Sequence, residues 1–118
     1  MPTTGFEASV RPGQDRAVID LFGRIDGAAR DGLAGVYERA VADGADGVLL
    51  NFAGVEYINS TGIALIVGLL GRARADGRSL AACGLSDHYR EIFEITRLAD
   101  FIPLYADETG AAPSEERI

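Results

Sequence analysis

Two hydroxyls and an amide stand side by side at Asn59-Ser60-Thr61, followed by Gly62. Side chains of these types accept from backbone N–H groups that have no partner at the start of a helix, so capping is their plainest use. A serine in such a place is also a candidate nucleophile, but it then needs a base and a group that orients the base. The single histidine, His88, falls in a different predicted helix with no evident orienting carboxylate, so an enzyme built on Ser60 is poorly supported and no catalytic residue is assigned. The single cysteine, Cys83, lies in an apolar strand pattern and is expected to act as a small buried hydrophobe. No group of Cys, His and carboxylates has metal-site spacing and no glycine-rich phosphate loop is present, so neither a metal nor a cofactor is expected.

The elements that must position these residues lie on either side of them, in the stretch Leu49–Arg74. Gly47–Phe52 is a short apolar run suited to a strand buried on both faces, with Asn51 and Gly54 read as turn residues around it. From Ile63 the period changes: Ile63, Ile66, Val67 and Leu70 repeat at helical spacing and predict one core-facing stripe. The remaining positions of that helix include Ala64, Leu65, Gly68, Leu69 and Gly71, so it is apolar nearly all round. Interior glycines cost roughly 1 kcal/mol each relative to alanine. They suggest that another backbone comes close, either a neighbouring helix of the same domain or a partner.

The flanking sequence supplies the rest of a domain. Phe6, Ala8 and Val10 alternate as an edge strand, the loop 11–15 turns the chain, and Ala17–Phe22 resumes as a strand closed by Gly23-Arg24-Ile25-Asp26-Gly27. In Ala28–Asp43, residues Ala29, Leu33, Val36, Tyr37, Ala40 and Val41 keep helical spacing. Ser79–Cys83 predicts a fourth strand, Ser86 caps a third helix with Tyr89, Ile92 and Phe93 on one face, and a last apolar run contains Pro103, which confines any strand there to an edge. The order predicts an α/β fold with a mixed, mostly parallel sheet of four to five strands joined by right-handed crossovers, and three or more helices mainly on one face.

Composition bounds the partners. With 118 residues one domain is expected, and a formal charge of −7 argues against non-specific binding of nucleic acid or an anionic membrane. A lone cysteine suits a reducing compartment, the first residues have no signal-peptide pattern, and Ile63–Leu70 is far short of the roughly 20 residues that cross a bilayer, so a cytoplasmic location without membrane insertion is expected.

The run Val55-Glu56-Tyr57-Ile58-Asn59-Ser60-Thr61-Gly62-Ile63 resembles the signature of the STAS domain, the fold of bacterial anti-sigma factor antagonists, in which an apolar residue precedes Asp-Ser-[Ser/Thr]-Gly. The similarity runs from Gly23-Arg24-Ile25-Asp26, which looks like that family's Gly-Glu-Leu-Asp turn, through the Ala-Ala-Cys strand and Phe93-Glu94-Ile95-Thr96-Arg97-Leu98, to about Glu108. The resemblance implies a STAS domain over residues 1–108, and the mix of small, Pro and charged residues in 109–118 predicts a flexible tail. It implies a protein that binds an anti-sigma factor serine kinase when unphosphorylated, frees the sigma factor for transcription, and is reset by a serine phosphatase. The phosphate acceptor carried over is Ser60, with Thr61 as the adjacent hydroxyl and Asp26 as a polar contact to the kinase; with Asn59 and Gly62 of the motif, and Ala64, Leu65 and Gly68 of the apolar helix read above, they make the expected partner-binding set. Two positions depart from the family pattern: Asn59 stands for the signature's Asp, and Arg24 for an acidic residue. Arg24 points to a different partner, Asn59 and the apolar helix leave room for an alternative within the same family, an assembly subunit of a stressosome-like complex or of a lipid transporter, and a homodimer also remains open.

Overall fold

The computed structural model describes residues 5–13 and 16–108. β1 (Phe6–Pro12) and β2 (Ala17–Ile25) pair antiparallel. A short 3-10 turn (Gly27–Ala29) leads into α1 (Arg30–Val41), followed by β3 (Gly47–Ile58), α2 (Ser60–Ala75), β4 (Ser79–Cys83), α3 (Asp87–Ile95), a second 3-10 turn (Leu98–Asp100) and β5 (Leu104–Tyr105). The sheet order is β1-β2-β3-β4-β5, with every pair after the first parallel. Each parallel strand is laid beside the one before it, always in the same direction. Crossovers of one hand that advance in one direction put their helices on one face.

The packing follows. Ile19 and Leu21 of β2, Val48, Leu50 and Phe52 of β3, and Leu80 and Ala82 of β4 form one core with Leu33, Val36 and Tyr37 of α1, Ile66, Leu69 and Leu70 of α2, and Phe93 of α3. Phe93 meets Phe52 edge to face at 5.9 Å between ring centres. The helical stripe of α1 is buried as its spacing predicts, with Val41 at the margin. Ser86 caps α3 by accepting from the Tyr89 amide, and β5 is an edge strand, as Pro103 requires.

Three expectations are corrected. β1 continues through Arg11 and Pro12, so the loop before β2 is shorter than the turn residues suggest, and β2 itself runs on through Gly23, Arg24 and Ile25. β1 is an edge, where a proline costs no ladder bond. β3 runs on to Ile58, so Asn51 and Gly54 are strand residues. Two register shifts against β2, between Asp20 and Phe22 and between Gly23 and Arg24, break the two-residue period that would have revealed its second half. Gly54 lies at the first shift, where a Cβ would collide with the Phe22 ring.

The third correction concerns α2. Its buried positions are Gly62, Ile66, Leu69, Leu70 and Ala73, whereas Val67, expected in the core, is 46% exposed. The phase is set at the first turn. The Asn59 amide donates to the Ile25 carbonyl at 3.2 Å, and a Cβ at Gly62 would collide with that same carbonyl oxygen. With Gly62 held against β2, the inward stripe is the one that repeats from it. The Gln14 and Asp15 part of the expected loop and the expected tail 109–118 lie outside the described residues.

Candidate functional site

The end of β3, the start of α2 and the turn after β2 meet at one corner of the sheet. Asn59 is the N-cap of α2: its backbone is extended and its side-chain oxygen accepts from the Gly62 amide at 2.8 Å. The family Asp and the Asn found here can both do this, because the contact needs an acceptor oxygen and no charge. Ser60 and Thr61 therefore occupy the first two helical positions, where backbone amides have no intrahelical partner. Both are exposed, and the Ser60 hydroxyl is not used in the cap. The first turn of α2 contains no acidic residue, so the positive end of the helix dipole is not neutralised there by a side chain.

The turn after β2 forms the neighbouring wall. Asp26 accepts from the Ala28 amide at 3.0 Å, which caps the 3-10 turn, and it stands 3.9 Å from the Arg24 guanidinium. Gly27 faces Thr61, with 3.6 Å from a Cβ position to the threonine methyl. The Arg24 guanidinium lies 4.4 Å over the Tyr57 ring. A hydrogen bond from the Ile58 amide to the Tyr89 hydroxyl, 3.0 Å, ties the start of α3 to the last residue of β3. His88, the one histidine, packs its exposed ring against Tyr89 at 4.8 Å.

Of the site residues expected from sequence, the structure brings Asp26, Asn59, Ser60, Thr61 and Gly62 together at this corner, but in different roles. Asn59 and Gly62 set the geometry, and Ser60 and Thr61 are presented to solvent. Ala64 and Gly68 continue the exposed face of α2 beyond Ser60, joined by Val67 and Gly71. A Cβ at Gly68 or Gly71 would meet nothing within 4 Å, so neither glycine is explained by close packing inside the domain. Leu65 is half-buried against the core and lines, with Arg30, Leu33, Gly68, Leu69 and Arg72, a cavity of about 160 Å³ between α1 and α2. The sequence reading missed Tyr57, Val67 and the Tyr89 hydroxyl as parts of this surface. The bulges in β3 and the rotation of α2 hid the first two, and the third makes a contact between residues 31 positions apart.

The sequence model of the STAS domain matches residues 7–111. An anti-sigma-B factor antagonist of Staphylococcus aureus is 37% identical over 60 residues, 51% of this chain and 56% of that protein, so the chain spans about half the length of the curated relatives it matches. The crystal structure of an anti-sigma factor antagonist from Mycobacterium paratuberculosis superimposes with a TM-score of 0.73 at 21% identity, covering 93% of each chain. The Bacillus cell fate determinant SpoIIAA in its phosphorylated form superimposes with a TM-score of 0.66 at 20% identity, covering 89% of this chain and 96% of that one.

Proposed function

The chain belongs to the STAS domain family, and on that premise we propose that it is an anti-sigma factor antagonist switched by phosphorylation of Ser60. In the unmodified state it binds an anti-sigma factor that is also a serine kinase, and so releases the sigma factor. The kinase transfers the terminal phosphoryl group of ATP to the Ser60 oxygen: a new O–P bond forms there, ADP leaves, and the hydroxyl proton passes to a base on the kinase. A serine phosphatase hydrolyses the phosphate and restores the binding form. The names of the Staphylococcus aureus relative and the Mycobacterium paratuberculosis structure support the regulatory class.

The observation that carries this reading is the division of labour between Asn59 and Ser60. A serine consumed as a cap would have to give up its hydrogen bond to react, whereas here the amide side chain holds the helix end and the exposed hydroxyl next to it is available. A phosphate adds roughly −1.5 to −2 charges at neutral pH. At the start of α2 it meets unpaired amides and the positive end of a helix dipole, so the modified domain stays folded. A partner surface shaped for a neutral hydroxyl would instead have to desolvate a dianion, and binding is lost. Thr61, Ala64, Gly68 and the exposed side of Asp26 complete the docking surface, with Leu65 at its rim.

Incubating the protein with ATP and candidate anti-sigma kinases, then locating the modification by mass spectrometry, tests the assignment. A single phosphate on Ser60 is the expected result. A large homogeneous complex without phosphate transfer would replace this account with an assembly role for the same domain, and modification elsewhere would overturn the assignment to Ser60.

A further inference from the structure

The sheet face turned away from the helices has a small cluster of its own. Val18 of β2, Leu49 of β3, and Ala81 and Cys83 of β4 are buried there, with Tyr105 of β5 packed against them. Asp20, Asn51, Cys83 and Tyr105 are register partners from β2 across to β5. The Asn51 amide donates to Asp20 at 2.9 Å, and the Cys83 thiol lies 3.7 Å from the Asn51 side-chain oxygen. Arg11 reaches in from β1 and forks twice. Its Nε and Nη2 donate to the two Asp20 oxygens at 2.6 and 3.0 Å, and its Nη1 and Nη2 to the two Glu108 oxygens at 2.9 and 2.6 Å. One guanidinium thus joins the first strand to a residue just past the last, 97 positions away in sequence.

The segment that carries Glu108 has little backbone pairing, although Leu104 is half-buried against the main core, Tyr105 is half-buried on the outer cluster and Asp107 is engaged as well. β5 pairs with β4 through two residues. Its backbone accepts from Ala82 at the Pro103 carbonyl, 2.9 Å, and from Gly84 at the Tyr105 carbonyl, 3.3 Å. The Arg11 and Glu108 side chains are 42% and 43% accessible, so solvent screens their attraction. The root is different: Ile102 is fully buried in the main core. A short, screened, weakly paired segment attached to a fixed root is the part of a domain that opens without the rest.

We propose that residues 103–108 form a strap, hinged at Ile102 and latched by the Arg11–Glu108 fork, that opens independently of the domain and controls access to the outer sheet face, the Cys83 thiol and the edge of β4. Closed, it covers an edge that would otherwise offer unpaired backbone groups to another strand. It also keeps the thiol unreactive, because burial, with help from the Glu108, Asp107 and Asp20 carboxylates, pushes Cys83 up to about 11. Opening the strap removes both protections at once. The inference does not rest on Ser60.

Amide hydrogen exchange on the full chain tests it, with an internal control in β4. Ala82 and Gly84 donate to the strap, and strand alternation turns the intervening Cys83 amide to β3. In Glu108→Gln the Ala82 and Gly84 amides should exchange roughly two- to fivefold faster, the range expected from releasing one screened ion pair, while the Cys83 amide keeps its rate. Added salt should accelerate the same two amides in the unaltered protein and not in Glu108→Gln. Alkylation of Cys83 by iodoacetamide, corrected for thiolate fraction through its pH profile, should rise by the same factor. Glu38→Gln, which breaks the exposed pair with Arg72 between α1 and α2, should change none of these. Exchange of Ala82 and Gly84 in step with Cys83 in both proteins, or rates indifferent to Glu108→Gln, would overturn the proposal.

Discussion

Asn59 closes the start of α2 by accepting from the Gly62 amide at 2.8 Å, and Gly62 in turn is pressed against the Ile25 carbonyl that receives the Asn59 amide. Two residues of one motif thereby fix both the end of the helix and its rotation on the sheet. Ser60, between them, bears none of that load. The separation predicts opposite outcomes at adjacent positions. Asn59→Ala should lower stability by about 1 kcal/mol, the usual worth of a cap, whereas Ser60→Ala should stay within about 0.5 kcal/mol of the parent. Urea denaturation of the two variants measures the difference.

Gly62→Ala should be the most damaging of the small changes in the motif. The added methyl has to displace backbone at Ile25, which no side-chain rotation relieves, and overpacking of this kind costs roughly 1–3 kcal/mol. A lowered urea midpoint with an unchanged slope is expected, because the surface exposed on unfolding hardly changes.

Gly68 and Gly71 should respond in the reverse sense. A methyl at either enters open space, so alanine raises helix propensity with no clash, and each change should stabilise the free protein by up to about 1 kcal/mol. Ala64→Arg, on the same exposed face, should fold normally and fail to bind the kinase. Thermal melts paired with a binding titration separate the two effects.

Much of this corner was legible in the sequence. The cap types at Asn59-Ser60-Thr61, the helical period after them and the family signature place the site, and α1, β4, the Ser86 cap and the edge character of β5 follow from spacing, capping and Pro103. What was hidden has physical reasons. The second half of β3 lost its two-residue period to bulges opposite Phe22 and Arg24, so Tyr57 did not stand out. Val67 fits an apolar stripe as well as Leu69 does, and only the contact between Gly62 and Ile25 decides which faces inward. The Arg11 fork joins residues too distant in the chain for any local pattern to connect.

That fork predicts how stability responds to acid. Hydrogen bonds from Arg11, aided by Asn51 and opposed by burial, hold the Asp20 carboxyl below its ordinary value. A carboxylate depressed in the folded chain contributes stability that is present above its unfolded value of about 3.9 and is lost as pH falls through the folded value. Asp20→Asn should therefore be less stable than the parent near neutral pH, and the gap should close as pH drops below about 4. Urea midpoints measured across that range check it.

The central claim is that one exposed oxygen decides whether a partner binds. Isothermal titration of an anti-sigma kinase with the unmodified chain and with the chain stoichiometrically phosphorylated on Ser60 tests it most directly, with circular dichroism confirming that both are folded. The account predicts tight binding of the first and at least a hundredfold weaker binding of the second, about 2.8 kcal/mol at 1.4 kcal/mol per factor of ten. Equal affinity of the two folded forms would contradict it.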